Sequence, residues 1–478
     1  MGGGLTQLTF QGQMNIHLFY NPQISFFSYA YKKHTNYAME NFTLQIVNKP
    51  DNIKTMHNSG LRNVLLSENP NIDLLSNIFF VFKLPNVYSD DKYKFKWVEN
   101  IGSLIIKNAY INIDDNKIDN ITGEWIVVWN ELSMPVKDGF NTMTGNIPEL
   151  SNPRKKETTI RIKNNIISEY DYPSSDINNP SIKERFITVQ LPFWFTKNPS
   201  LALPILKFCS NHTISLSFEF ENIENLYTVY SDIYNMNISS SYYNNLHNER
   251  ISISNFVKDI NFNAHVEATY IVLDCYERQL IINKANIEYL IETTTISKNI
   301  TTSGGENSIR EVKLITPFLV KELIWTLNRS DSINKFNNIF NYTYSIPSNN
   351  ENSIMKSAEI LWDRKTRTEI KDAFFYNYIQ PYQFHSIVPR QGIYCYSYSL
   401  FPEKWFPSGC YNGSSVETII LLILNNYQPS IIDDMHMKKF NVSYKMDTNN
   451  NDIVITTYVV QYNILKIFAG DIGLKFKN

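Results

Sequence analysis

The chain has 478 residues, 43% hydrophobic and 14% aromatic, which is ample to build sizeable cores and excludes global disorder. Its 44 Lys and Arg stand against 46 Asp and Glu, a net charge of −2, so no basic excess is available for coating nucleic acid by phosphate neutralisation. Only 19% of residues are charged; Asn and Ser for turns, and Ile, Tyr, Phe and Thr for pleated surfaces, fill the space and lean the composition toward all-β.

Residues 1–23 are Gly-rich, then polar and aromatic, and read as an extended N-terminal arm. Ile24–Phe27, Phe42–Val47 and Ile78–Leu84 read as strands. Leu104–Ile113 leads into Asp114-Asp115-Asn116 and Lys117-Ile118, a hairpin whose turn residues tolerate positive φ. Gly123–Leu132 places Trp125, Val128, Trp129 and Leu132 at helical spacing and predicts a short helix. Residues 135–185, with Pro153, Pro173 and Pro180, read as long loops. Phe186–Phe195, Leu201–Phe208, the strictly alternating Thr213–Phe220 and Val266–Cys275 read as strands, with a break at Asn198-Pro199-Ser200. The Asn-, Ser- and Tyr-rich stretch 221–260 reads as surface loop.

The second half repeats this course. Ile309–Ile315, Leu323–Leu327, Ser357–Trp362, Phe384–Val388, Gly392–Leu400 and Thr418–Leu424 read as strands, and Asp452–Phe468 as a closing pair of strands. Residues 328–352 read as loop. Each half runs from a Pro-Ser break through a buried strand and a variable loop to a long final strand, Val266–Tyr276 in one and Val459–Phe468 in the other. The pattern predicts an all-β chain: an arm (1–23), then two similar tandem β domains, sandwiches or barrels, split near residues 280–290; two eight-stranded sandwiches with long loops and a few short helices fit the length.

Signatures of chemistry are missing. The sequence has no phosphate-binding loop, no zinc-protease or nucleophile-elbow motif, and no CxxC pair. Its eight histidines are scattered; His34 reads as a hydrogen-bonding residue at a strand end, and Asp433, Asp434 and His436 as solvated loop residues. Cys209, Cys275, Cys395 and Cys410 read as reduced thiols rather than a disulfide framework. Glu219 lies on an alternating strand, but no second carboxylate can be named to make a glycosidase pair. The expectation is therefore a protein that is not an enzyme and uses no cofactor and no metal. The N-terminus lacks the basic and apolar regions of a secretory leader. Met1 to Thr6 formally fits an N-myristoylation pattern, but its glycines suit an arm lying closely on a neighbour. Of several Asn-x-Ser/Thr sequons, Asn237 and Asn341 lie in predicted loops and are the ones placed to carry sugar.

Several segments, in order, carry a family resemblance. They are Gly2-Gly3-Gly4-Leu5-Thr6-Gln7-Leu8, Asn21 to Phe27, Tyr31 to Glu40, Leu191 to Pro204, Thr269 to Arg278, Tyr289 to Glu292, Gln380 to Gln383, Gly392 to Leu400, Pro407-Ser408-Gly409, and Tyr462 to Leu474. Together they resemble the major capsid protein of nucleocytoplasmic large DNA viruses. Cys410-Tyr411-Asn412-Gly413-Ser414 departs from the family's usual continuation, which leaves principal capsid protein and divergent paralogue both open. The resemblance implies a double jelly roll that forms homotrimers, pseudo-hexagonal capsomers tiling an icosahedral shell. It implies as partners neighbouring capsomers, minor capsid and penton proteins, and indirectly an inner viral membrane, without direct nucleic acid contact. It places the protein in the virion capsid, assembled in the host cytoplasm. The assembly contacts expected are Gly2, Gly3, Gly4 and Leu5 in the arm and the aromatic run Phe26, Phe27, Tyr29 and Tyr31. A rival reading is a jelly-roll module that binds carbohydrate or a receptor at a surface.

Overall fold

The computed structural model describes residues 2–476 apart from 11, 29–30, 68–71, 90–94, 115, 136, 152–157, 163–164, 170–179, 209–211, 232–235, 249, 303–307, 345–352, 425–451 and 469–470. In the first half the main strands are β1 (Tyr37–Leu44), β2 (Arg62–Leu65), β3 (Leu74–Leu84), β4 (Ile106–Ile113), β5 (Asn116–Thr122), β6 (Arg185–Gln190), β7 (Ile214–Phe220) and β8 (Ala264–Leu273). They form two four-stranded sheets, β1-β8-β3-β6 and β2-β7-β4-β5, with antiparallel neighbours throughout. In the second half follow β9 (Asn286–Thr302), β10 (Ile309–Lys313), β11 (Leu319–Arg329), β12 (Met355–Trp362), β13 (Lys365–Asp372), β14 (Ile393–Ser397), β15 (Thr418–Leu424) and β16 (Asp452–Phe468). Their sheets run β9-β16-β11-β14 and β10-β15-β12-β13. Each of these eight strands thus takes the place of the one eight before it, and two short strands, Tyr411–Asn412 and Asp471–Leu474, extend the first of the two sheets. This is a double jelly roll, and the faint repeat of breaks and long final strands in the sequence is its trace.

Alternation builds each sandwich. In β7, Ile214, Leu216, Phe218 and Phe220 point inward and are buried. Phe218 and Phe220 meet Phe80 of β3 at ring distances of 5.1 and 5.8 Å. In the second sandwich Trp325 of β11 takes the equivalent central place, 5.1 Å from Tyr376 and 5.9 Å from Tyr394. Such aromatic pairs add about 0.5–1.5 kcal/mol each beyond the area they bury.

The motif Leu273-Asp274-Cys275-Tyr276-Glu277-Arg278 turns the chain from one sandwich into the other. β8 ends at Leu273, and Asp274 caps a helix, Cys275–Asn283, by accepting from the Glu277 amide at 2.8 Å. Arg278 reaches back to the fully buried Asp73, Nε to Oδ1 3.1 Å. Lys207 closes the other end, donating to the carbonyls of Ile282 and Lys284 at 2.6 and 2.7 Å.

Several expectations are corrected. Ile24–Phe27 lies in turns, because the edge of β8 pairs only from Tyr37 onward. The arm is not extended: Gly3–Thr9 and Asn15–Phe19 are short helices. Leu201–Phe208 forms 3-10 turns beside Pro199 and Pro204, which fix φ and remove ladder donors. Residues 135–185 carry helices Lys137–Thr144 and Pro148–Ser151 and a hairpin, Thr158–Ile162 with Asn165–Glu169. The stretch 221–260 supplies two strands of a small sheet, Tyr227–Ser231 and Met236–Ser239, and a helix, Ser240–His247. Ser330–Phe336 is helical, and Phe384–Val388 follows the helix Gln380–Phe384 rather than forming a strand. Asp452–Phe468 is one continuous strand.

Candidate assembly surfaces and the seam between sandwiches

The Gly123–Ser133 helix joins the two sandwiches. Thr122 caps it by accepting from the Trp125 amide at 3.2 Å. A Cβ on Gly123 would lie 2.0 Å from the Ser103 carbonyl oxygen, so only glycine lets the helix start there. Trp125, Ile126, Val127, Val128, Trp129 and Leu132 are all buried, the mark of a helix covered on both sides. On the second sandwich, Trp125 packs 5.1 Å from Tyr458 of β16, and the Leu132 carbonyl accepts from the Ile387 amide at 3.2 Å. Ion pairs flank it: Glu124 with Lys298 at 2.7 Å, and Glu131 with Arg390 at 2.8 Å.

At the centre of this seam Glu292 of β9 accepts from two ammonium groups, Lys197 of the first half and Lys321 of β11. Lys197 also lies over the Trp129 ring, 4.7 Å from its centroid. Lys321 is fully buried, and a bulge between Val320 and Glu322 leaves it without a partner in the register with β16. Burial opposes ionisation of Glu292, but the two ammonium groups outweigh it and hold the carboxyl below its usual range. Burial likewise pulls Lys321 down, with Glu292 working against it. Nearby, burial pushes the Asp119 carboxyl up to about 7, against the backbone amides of Asn120 and Thr294 and the charge of Lys197.

The expected assembly residues lie in the arm and in the segment just after it. Neither arm helix buries a residue. Gly2, Gly3 and Gly4 have open space around them. Leu5, Phe26, Phe27 and Tyr31 are exposed, Phe27 fully so, and none belongs to either core. Tyr29 lies outside the described residues, as do Cys209, Asp433, Asp434 and His436. Of the two sequons, Asn237 is half-buried on a paired strand. Asn341 is fully buried, its Oδ1 accepting from the Thr343 amide at 3.1 Å and hydroxyl at 2.8 Å, which corrects its placement on a surface loop. Glu219 accepts from Asn108 at 2.7 Å.

A further stretch of the chain is rich in exposed aromatics. Phe374, Tyr378, Tyr382, Phe401, Trp405 and Phe406 are all exposed, Tyr382 by 81%. Ser386 and His385 bond to Glu403 and draw the two segments that carry them together. Its only sequence signal is the density of aromatics around Gln380–Gln383 and Pro407–Gly409.

Glu292→Gln strands a buried lysine without a counter-charge and is expected to cost about 3 kcal/mol in urea unfolding, whereas Glu292→Leu with Lys321→Met is expected to cost less than Glu292→Gln alone. Asp119 holds its proton in the fold at a pH where the unfolded chain has lost it. Stability from that proton is full below the unfolded value near 4 and is lost as pH rises through about 7. Asp119→Asn is expected to gain on the wild type by on the order of 2 kcal/mol between pH 5 and pH 8; an unchanged difference across that range would refute the assignment.

Two family models match the chain: "Major capsid protein N-terminus" over residues 25–274 and "Large eukaryotic DNA virus major capsid protein" over 277–473. Among curated relatives, Probable capsid protein 4 of Acanthamoeba polyphaga mimivirus is 27% identical, and the major capsid protein of Phaeocystis pouchetii virus 24% identical, each across the whole of both chains. Among solved structures, the PBCV-1 capsid quasi-atomic model superposes with a TM-score of 0.66 at 20% identity, covering 95% of this chain and 100% of the other. The Faustovirus major capsid protein gives 0.64 at 11% identity, covering 96% and 95%.

Proposed function

The chain belongs to the family of major capsid proteins of large eukaryotic DNA viruses, and on that premise we propose that it is the repeating subunit of a virion shell. Three copies associate into a trimer whose six sandwiches give a pseudo-hexagonal outline. The observation that carries this reading is the repeat of sheet order between the two halves. Two equivalent blocks, domains 24–284 and 285–478, locked by a buried helix and a buried charge cluster, present nearly the same face six times around a threefold axis.

The trimer contact is assigned to the aromatic patch around Tyr382 and Trp405, since tyrosine and tryptophan dominate association energetics and an exposed cluster of this kind marks an interface. The arm, with its exposed Leu5, and the segment after it, with Phe26, Phe27 and Tyr31, reach a neighbouring capsomer or a minor capsid or penton protein and bury that apolar surface as they dock. A net charge of −2 gives the shell no means of condensing a genome, and an inner membrane would be met indirectly. Assembly takes place in the host cytoplasm. The role is mechanical rather than catalytic.

Tyr382→Asp with Trp405→Asp tests the trimer contact. The pair is expected to weaken association by about 2 kcal/mol or more per contact, giving a folded monomer with wild-type near-UV circular dichroism. Removal of residues 2–36 is expected to leave the trimer intact and abolish its further assembly under the electron microscope. A patch variant that still trimerises at wild-type strength would move the interface elsewhere.

A further inference from the structure

We infer that Glu322, His385 and Cys395 form a site for a divalent transition-metal ion, with zinc the best chemical match. β11 and β14 pair with Glu322 opposite Ser397 and Ile324 opposite Cys395. Glu322 and Cys395 are therefore diagonal neighbours on one face of the sheet. His385 follows the Gln380–Phe384 helix, which lowers its ring onto that face. One ligand atom from each residue lies within 4.8 Å of the others, and the side chains of Glu322 and His385 and all of Cys395 are fully buried.

Three further features point to a ligand. Glu403 sits 3.2 Å from His385 Nδ1 and is itself held by the Ser386 amide at 2.6 Å. That leaves Nε2 facing Glu322, the arrangement in which an outer carboxylate orients a metal-binding imidazole. Glu322 Oε2 is buried with no hydrogen-bond partner among the described residues, an acceptor left over by the local network. One thiolate, one carboxylate and one neutral imidazole around a divalent ion sum to zero charge, which a dry pocket accommodates. The mixed sulfur, nitrogen and oxygen donors suit zinc or cobalt and not calcium or magnesium. No spacing in the sequence announces the site, because its donors come from positions 322, 385 and 395 on separate elements. A bound ion would tie the segment bearing Tyr382 to the sheet beneath it and stiffen the exposed aromatic patch from behind.

The test uses the full chain, stripped with a chelator, re-equilibrated with zinc chloride and desalted. About one zinc per chain is expected by elemental analysis, with a rise in thermal midpoint over the stripped protein. Cobalt chloride in place of zinc is expected to give a thiolate-to-cobalt charge-transfer band, kept in a chain whose Cys209, Cys275 and Cys410 are changed to serine. Cys395→Ser is expected to lower zinc affinity at least about tenfold and to remove the band. Should that variant fail to fold, the chain that keeps Cys395 alone still decides the matter. Retention below ~0.1 zinc per folded chain, or cobalt binding without a thiolate band, overturns the site and leaves a His385–Glu322 ion pair.

Discussion

One helix must be covered on both sides, and the arrangement of the two sandwiches follows from that need. Gly123–Ser133 carries two tryptophans and a run of aliphatics with no polar face wide enough to meet water. The first sandwich covers one side. Tyr458 and the backbone near Ile387 cover part of the other. Glu292, gripped from opposite halves by Lys197 and Lys321, adds direction to what apolar contact alone leaves free to slide. A buried charge trio is a poor source of net stability but a strict one of geometry, since any shift strands a charge. The result is a pair of equivalent blocks held in one arrangement.

Much of the fold was legible in the sequence, for a physical reason. Strands with one buried face alternate, so Thr213–Phe220 and the Asp114-Asp115-Asn116 hairpin announce themselves. Trp125, Val128, Trp129 and Leu132 announce their helix by spacing. What stayed hidden lacks a periodic signal. Lys365–Asp372 is an edge strand, largely exposed and polar, and its charges guard the open side of the sheet. The helices between 137 and 151 carry too few apolar residues to stand out from loop.

The candidate surfaces divide in the same way. The exposure of the arm was legible, because a glycine-rich and aromatic segment with no alternation cannot pack alone, but its two short helices were not. The aromatic patch at Tyr382 and Trp405 was not, because aromatics at a surface and aromatics in a core look alike in one dimension. The buried charges were the least legible. Lys321 and Glu322 are adjacent in a strand with apolar residues on both sides of them, and the bulge beside Lys321 leaves no mark in the sequence. Asn341 misled for the opposite reason: its turn-forming neighbours suggested a surface, while its carboxamide serves a buried turn.

The central claim is that two locked, equivalent sandwiches make this chain a trimer-forming shell subunit. Size-exclusion chromatography with light scattering on the purified full chain tests it most directly. The proposed trimer predicts a single stable species at about three times 55.8 kDa. A well-folded protein that remains a monomer at high concentration would contradict it.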